Sequence, residues 1–291
     1  MKSLLDAGPS ERGWHQFEQA SRCLRLWAWN HKAKKPFIVT EPLVKGSLLH
    51  IGLAHYYQRK LEEQEGRDPD AFYAPEESVL VLSRQEARKS RDRNEASLWV
   101  SCVTPVLVAL EKYQSHWARC SWKVVAVEQE LRAHISRSQS LPSGSERFLF
   151  TQRADLIVQD PHGFYWIVDH KSCYRITSKT LRQHILSGQF LGYQMFGRKI
   201  YGRKFGGVVI NRVKLSSPVD FERSVLEPAP VAASGFVGTL RQIEDRIQSH
   251  AHISDPMDFP PVLSDQVCYG IYGPCTYFEL CRWGDEDAAE T

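Results

Sequence analysis

Apolar residues recur at helical spacing towards both ends of this chain and gather into strand-like runs in its middle. Trp14, Phe17, Leu24 and Trp27 mark one helix face and predict a helix over 12–33, with Cys23 close to the stripe. Gly46 opens a second helical pattern that runs to about Gln64. Polar, proline-containing sequence from Glu65 to Glu77 reads as loop, and 84–117 reads as a long helix, basic in its first half and apolar in its second. Trp122 to Ile135 is rich in β-branched residues and predicts a strand with Glu128 and Glu130 on one face. Ser136 to Glu146, with Pro142 and Gly144, reads as a turn or small insertion. Two apolar runs, Leu156–Val158 and Phe164–Val168, then flank Asp160-Pro161-His162-Gly163, which is the pattern of a hairpin. Beyond it follow a helix over Ser178 to about Tyr201, a strand over Phe205 to Leu215, a proline-punctuated connection to Ser234, a helix from Gly235 to about His250, and a proline-rich linker from Asp255 to Pro261. There is no internal repeat and no heptad run.

The hairpin carries the candidate chemistry. Asp155 and Asp169 fall on its two strands, and Lys171, two residues beyond Asp169, shares that residue's face because side chains alternate along a strand. Two carboxylates and an ammonium on one sheet face suit a hard divalent cation such as Mg²⁺ or Mn²⁺ and the hydrolysis of a phosphodiester. A hairpin with ordinary surface charges is the bland alternative.

Composition narrows the class without choosing it. A chain of 291 residues, 42% of them hydrophobic, is long enough for one large packed domain or two small ones. The first six residues lack the apolar core of a signal peptide, and no apolar run approaches the roughly 20 residues of a membrane span. A cytoplasmic protein with no membrane partner is expected. The formal charge of +3 says little by itself. Basic clusters at 32–35, 84–93 and 198–204 are either solvated helix faces or, beside a metal hydrolase site, a phosphate-binding surface. No G-x-x-x-x-G-K-[ST] loop is present, so the sequence has no ATP-driven motor of its own. Seven cysteines without a secretory signal point to metal ligation or free thiols rather than a disulfide framework.

The order of these features resembles a known family. G-x-x-x-H at Gly46–His50, an acidic strand, D…D-x-K at Asp155, Asp169 and Lys171, and Q-x-x-x-Y at Gln189–Tyr193 are similar to the RecB-type branch of the PD-(D/E)XK nuclease superfamily. The resemblance implies one α/β domain over 1–291 with a restriction-endonuclease-like core at about 40–215, a small mixed β-sheet flanked by helices, preceded by N-terminal helices and followed by a Cys-rich tail. It implies that His50, Asp155, Asp169 and the main-chain carbonyl of His170 hold Mg²⁺ or Mn²⁺, that Lys171 assists the water, and that Gln189 and Tyr193 shape the site. Glu128 is a further candidate ligand on the preceding strand. The His170 side chain is expected to be incidental, and His55 to be packed rather than a ligand.

The cysteines carry a second resemblance. Some RecB-type nucleases, the CRISPR-associated four-cysteine exonucleases among them, join one early and three late cysteines around a 4Fe-4S cluster. Here Cys23 precedes the core and Cys268, Cys275 and Cys281 follow it, so the segments 12–33 and 262–284 would form an iron–sulfur staple. Six residues separate Cys268 from Cys275 where the family usually has two. Zn²⁺ and free thiols are the alternatives, although the C-x2-4-C pairs usual in structural zinc sites are absent.

The resemblance implies a metal-dependent DNA exonuclease acting on single strands or ends, in recombination, repair, replication or phage DNA processing, in a bacterial or phage-infected cell. Its partners would be DNA and, in one variant, a helicase or recombination protein. The rivals are a DNA- or partner-binding module with a nuclease fold that does not cut, and a nuclease subunit that needs a helicase.

Overall fold

The computed structural model describes residues 2–34, 39–137, 147–262, 264–270 and 273–284. Of the turn expected at 136–146, all but Ser136 and Arg137 lies outside the described residues. The N-terminal apolar stripe forms two helices rather than one, α1 (Trp14–Arg22) and α2 (Leu24–His31). Cys23 separates them with an extended backbone (φ −160°, ψ 121°) that a continuous helix cannot contain. Helix α3 (Glu41–Gln64) starts earlier than Gly46, because Pro42 suits the first turn, where a missing N–H costs nothing. The long helix expected over 84–117 is three: α4 (Pro75–Lys89), α5 (Arg93–Ser101) and α6 (Val103–His116). Ser90 is extended, and Asp92 caps α5 by accepting from the Glu95 N–H at 2.8 Å.

Five strands follow: β1 (Lys123–Ser136), β2 (Arg147–Gln159), β3 (Tyr165–Cys173), β4 (Phe205–Lys214) and β5 (Asp220–Val225), hydrogen-bonded in that order. The sheet is mixed. β2 and β3 form the expected hairpin with Leu156 opposite Val168, β3 and β4 are parallel with Asp169 opposite Ile210, and β4 and β5 are antiparallel. Strand β5 falls in the stretch that reads as a proline-punctuated connection. It is a short edge strand with no fully buried residue, and so it needs few apolar ones. The helix expected over 178–201 is interrupted, giving α7 (Ser178–Arg182) and α8 (Gly188–Tyr201), with Ser187 extended before α8. This helix-flanked mixed sheet is the α/β core that the sequence predicts.

The chain divides into two compact units. The first comprises Met1–Glu11, Val39–Leu131 and Gln152–Ala233. In it, α3 and α6 bury Leu48, Leu49, Leu110 and Tyr113 with Val168 and Val209 of the sheet. Helix α8 packs on β3 and β4 through Phe190, Tyr193 and Phe196, and a Cβ at Gly197 would stand 2.2 Å from the Phe205 ring, so this approach requires glycine. The second unit comprises Arg12–Ile38, Arg132–Thr151 and Ser234–Thr291. There Phe17 meets Phe150 edge-on at 5.5 Å, and Phe150 meets Phe236 of α9 (Pro230–Ser249) at 5.8 Å. Buried Glu244 is paired with Arg12 and Arg137. The tail adds two short helices, α10 (Asp265–Cys268) and α11 (Phe278–Trp283). Among the described residues no helix is long and apolar enough to cross a membrane.

Candidate active site

Alternation along β3 sends Val168 and His170 to the α3 side and Asp169 and Lys171 to the α8 side. Asp169 is fully buried, and Lys171 Nζ lies 2.8 Å from its Oδ2. Helix α8 supplies the i,i+4 pair that completes this corner. Gln189 Nε2 donates to Asp169 Oδ1 at 2.8 Å, Lys171 Nζ donates to Gln189 Oε1 at 3.2 Å, and Tyr193 OH donates to the Arg153 carbonyl at 2.7 Å and stands 3.3 Å from Asp169 Oδ1. Burial, then the Asp169 and Asp155 charges, raise the Tyr193 hydroxyl well above its ordinary range, so it stays a donor.

On β2, Asp155 accepts the His170 main-chain N–H at 2.7 Å, and the same Oδ2 lies 3.4 Å from His50 Nδ1 of α3. Glu128 completes a second group, since one ligand atom each from His50, Glu128 and Asp155 lies within 4.8 Å of the others. Glu128 reaches it through a backbone at φ +49°, a conformation that costs a non-glycine residue of order 1 kcal/mol. Glu130, two residues on, instead points an oxygen at Arg153, 3.8 Å away.

The electrostatics of this cluster suit a cation. Burial, followed by repulsion from Asp155, pushes Glu128 well above the usual carboxylate range. Burial is also the largest influence on Asp155, which is raised to about 6, with His50 opposing and Asp169 adding to the shift. Two crowded carboxyl groups that resist ionisation alone, with an imidazole beside them, form an oxygen-rich donor set of the kind that holds Mg²⁺ or Mn²⁺.

The His170 side chain, expected to be incidental, is not one of this group. It is 1% exposed, stacks on Tyr57 with ring centroids 5.6 Å apart at 10°, and has Nδ1 2.8 Å from Asn211 Nδ2. Burial lowers its pKa well below the ordinary histidine value, so the ring is neutral. Tyr57 OH in turn bonds Tyr113 OH at 2.7 Å and accepts from Arg223 at 2.7 Å, while Arg223 lies over the Trp117 ring at 3.6 Å. Asn211 and Tyr57 thus stand behind the site unforeseen. The one sequence signal was an asparagine inside the apolar β4 run. His55 is buried, accepting from the Leu5 N–H and donating to the Tyr73 carbonyl, both at 3.2 Å, away from the cluster.

In the second unit, Cys23, Cys268, Cys275 and Cys281 line one cavity of about 130 Å³ together with apolar residues such as Leu26 and Trp29. The break at Cys23 sets it between two helices, and the Cys275 N–H donates to the Cys268 carbonyl at 2.8 Å. Burial raises the Cys275 and Cys281 thiols, with Arg25 opposing the shift at Cys281. Cys102, Cys120 and Cys173 are elsewhere in the chain and belong to the first unit.

The model of the PD-(D/E)XK nuclease superfamily matches residues 15–282. A solved structure described as "Crystal structure of SSO0001" is similar at 14% sequence identity, covering 77% of this chain and 93% of its own, with a TM-score of 0.35. No curated protein matches.

Proposed function

This chain belongs to the PD-(D/E)XK nuclease superfamily, whose members are nucleases that use divalent metals, and on that footing we propose that it hydrolyses DNA phosphodiesters with Mg²⁺ or Mn²⁺ at the His50–Glu128–Asp155–Asp169 site. The observation that carries this function is the convergence of His50, Glu128 and Asp155 within 4.8 Å on one side and Asp169, Lys171 and Gln189 within hydrogen-bonding reach on the other. His50, Glu128, Asp155 and Asp169, with the main-chain carbonyl of His170, would hold the ion. The cation, when bound, supplies Lewis acidity, offsetting charge on the phosphate and lowering the pKa of a water.

The residues of the chain do the rest. Asp169 fixes the Lys171 ammonium, which is placed to orient an attacking water and to offset negative charge in the transition state. Gln189 and Tyr193 hold Asp169 against rotation. Resemblance to stand-alone RecB-type nucleases favours an exonuclease acting on single strands or ends, in recombination, repair, replication or phage DNA processing, alone or fed by a helicase. Loss of cleavage in EDTA and its return with Mg²⁺ or Mn²⁺ tests the assignment.

For the cysteines we propose a 4Fe-4S cluster. Its support is one cavity lined by all four thiols, with Arg22 and Arg25 on its wall to offset an anionic cluster. Iron and acid-labile sulfide in anaerobically purified protein test it, and stoichiometric zinc in their place would return the site to Zn²⁺.

A further inference from the structure

Trp27, Trp29, Tyr56, Tyr57 and Tyr174 are among the aromatic residues whose sequence positions suit either base stacking or the core, and burial separates them. Trp27, Trp29, Tyr56 and Tyr57 are 7%, 2%, 9% and 5% exposed, whereas Tyr174 is 74% exposed. The first four are packing residues, Tyr57 being committed to the His170 ring.

Tyr174 lies three residues beyond Lys171, just past the end of β3, which puts it roughly 10 Å along the chain from the candidate catalytic lysine. Its backbone is held. Ser216 Oγ donates to the Tyr174 carbonyl at 3.3 Å, and buried Arg212 donates to the Thr177 carbonyl at 2.6 Å and to Thr180 Oγ1 at 2.9 Å. A ring carried into solvent on a tethered backbone gives up little chain entropy on binding. The Arg175 guanidinium lies 5.6 Å from the ring centroid, and Lys179 and Arg182 of α7 are exposed nearby in the chain. An accessible aromatic face with cations beside it is the pairing that grips a single strand, the ring taking a base and the cations its phosphates.

We propose that Tyr174 stacks on an unpaired base of single-stranded DNA, with Arg175 on a neighbouring phosphate. This rests on the nuclease function proposed above. Bases in a duplex already have both faces stacked, so the contact selects single strands.

Binding of a labelled single strand, read by fluorescence anisotropy in EDTA with the full-length protein, tests it. Tyr174→Ala should weaken binding about 10-fold, and Tyr174→Phe should bind as the wild type does, because stacking needs the ring and not the hydroxyl. Removing one base at the stacking position should weaken the wild type by a similar factor and leave Tyr174→Ala unchanged, and duplex binding should be the same for all three proteins. Equal single-strand affinities for wild type and Tyr174→Ala would overturn the proposal, as would a wild type that binds no single strand. Because binding is read without metal, failure to cleave in a parallel Mg²⁺ reaction would contradict the nuclease function while leaving the Tyr174 comparison decisive.

Discussion

His170 donates its main-chain N–H to Asp155 Oδ2 at 2.7 Å, so the residue between Asp169 and Lys171 anchors a carboxylate of the neighbouring strand. Its ring is fixed from behind by Tyr57 and Asn211. Asn211→Ala leaves the ring nitrogen unpaired in a buried place and should cost about 1–3 kcal/mol of stability in urea unfolding. An unchanged unfolding midpoint would mean that the Asn211–His170 contact contributes nothing.

Asp155 gives the metal-free protein a definite pH dependence. Its pKa is raised from 3.8 to about 6, so the folded protein holds this proton more tightly than the unfolded chain. That contribution to stability is full below the unfolded value and is lost as pH rises through about 6. Asp155→Asn should therefore melt higher than the metal-free wild type at about pH 7.5, with the gap closing towards about pH 4. Mg²⁺ or Mn²⁺ should raise the wild-type melting temperature at the higher pH and the variant's less. A variant that melts below the wild type at every pH would contradict the cost inferred for burying the Asp155 charge.

Much of the site was legible because it depends on local rules. A turn between two apolar runs makes a hairpin, alternation puts Asp169 and Lys171 on one face, and an i,i+4 spacing joins Gln189 to Tyr193. Helix lengths were less legible, because hydrophobic periodicity runs on through a short break such as Cys23 or residues 90–92. Strand β5 escaped notice because an edge strand needs little apolar sequence. Glu128 was placed on the correct strand, but nothing in its neighbours announces the positive φ that accompanies its approach to Asp155. The roles of Tyr57 and Arg223 depend on contacts more than 100 residues apart in the chain, which no local pattern encodes.

The proposed cluster divides the cysteines by role. Cys23→Ser should lose iron and sulfide and lower the melting temperature, whereas Cys102→Ser should retain the full iron content. Iron measured by absorbance and elemental analysis checks both. Full iron in Cys23→Ser would remove that residue from the cluster.

Gly192 of α8 faces the Gln152 side chain of β2. A Cβ there would stand 2.4 Å from Gln152 Oε1, in a side chain that is 3% exposed and donates to the Gln189 carbonyl at 2.9 Å. Gly192→Ala should cost about 1–3 kcal/mol in urea unfolding and slow cleavage by shifting Gln189 from Asp169. Wild-type stability and rate in this variant would show that Gln152 moves aside freely.

The most direct measurement is single-turnover cleavage of end-labelled single-stranded and double-stranded DNA by anaerobically purified protein in Mg²⁺, Mn²⁺ or EDTA, beside Asp169→Asn. The predicted result is metal-dependent degradation, slowed about 1,000-fold or more in the variant, with a product ladder that gives the polarity. Cleavage that survives in Asp169→Asn, or a wild type that binds DNA with its cluster loaded and cuts nothing, would contradict the assignment of this site.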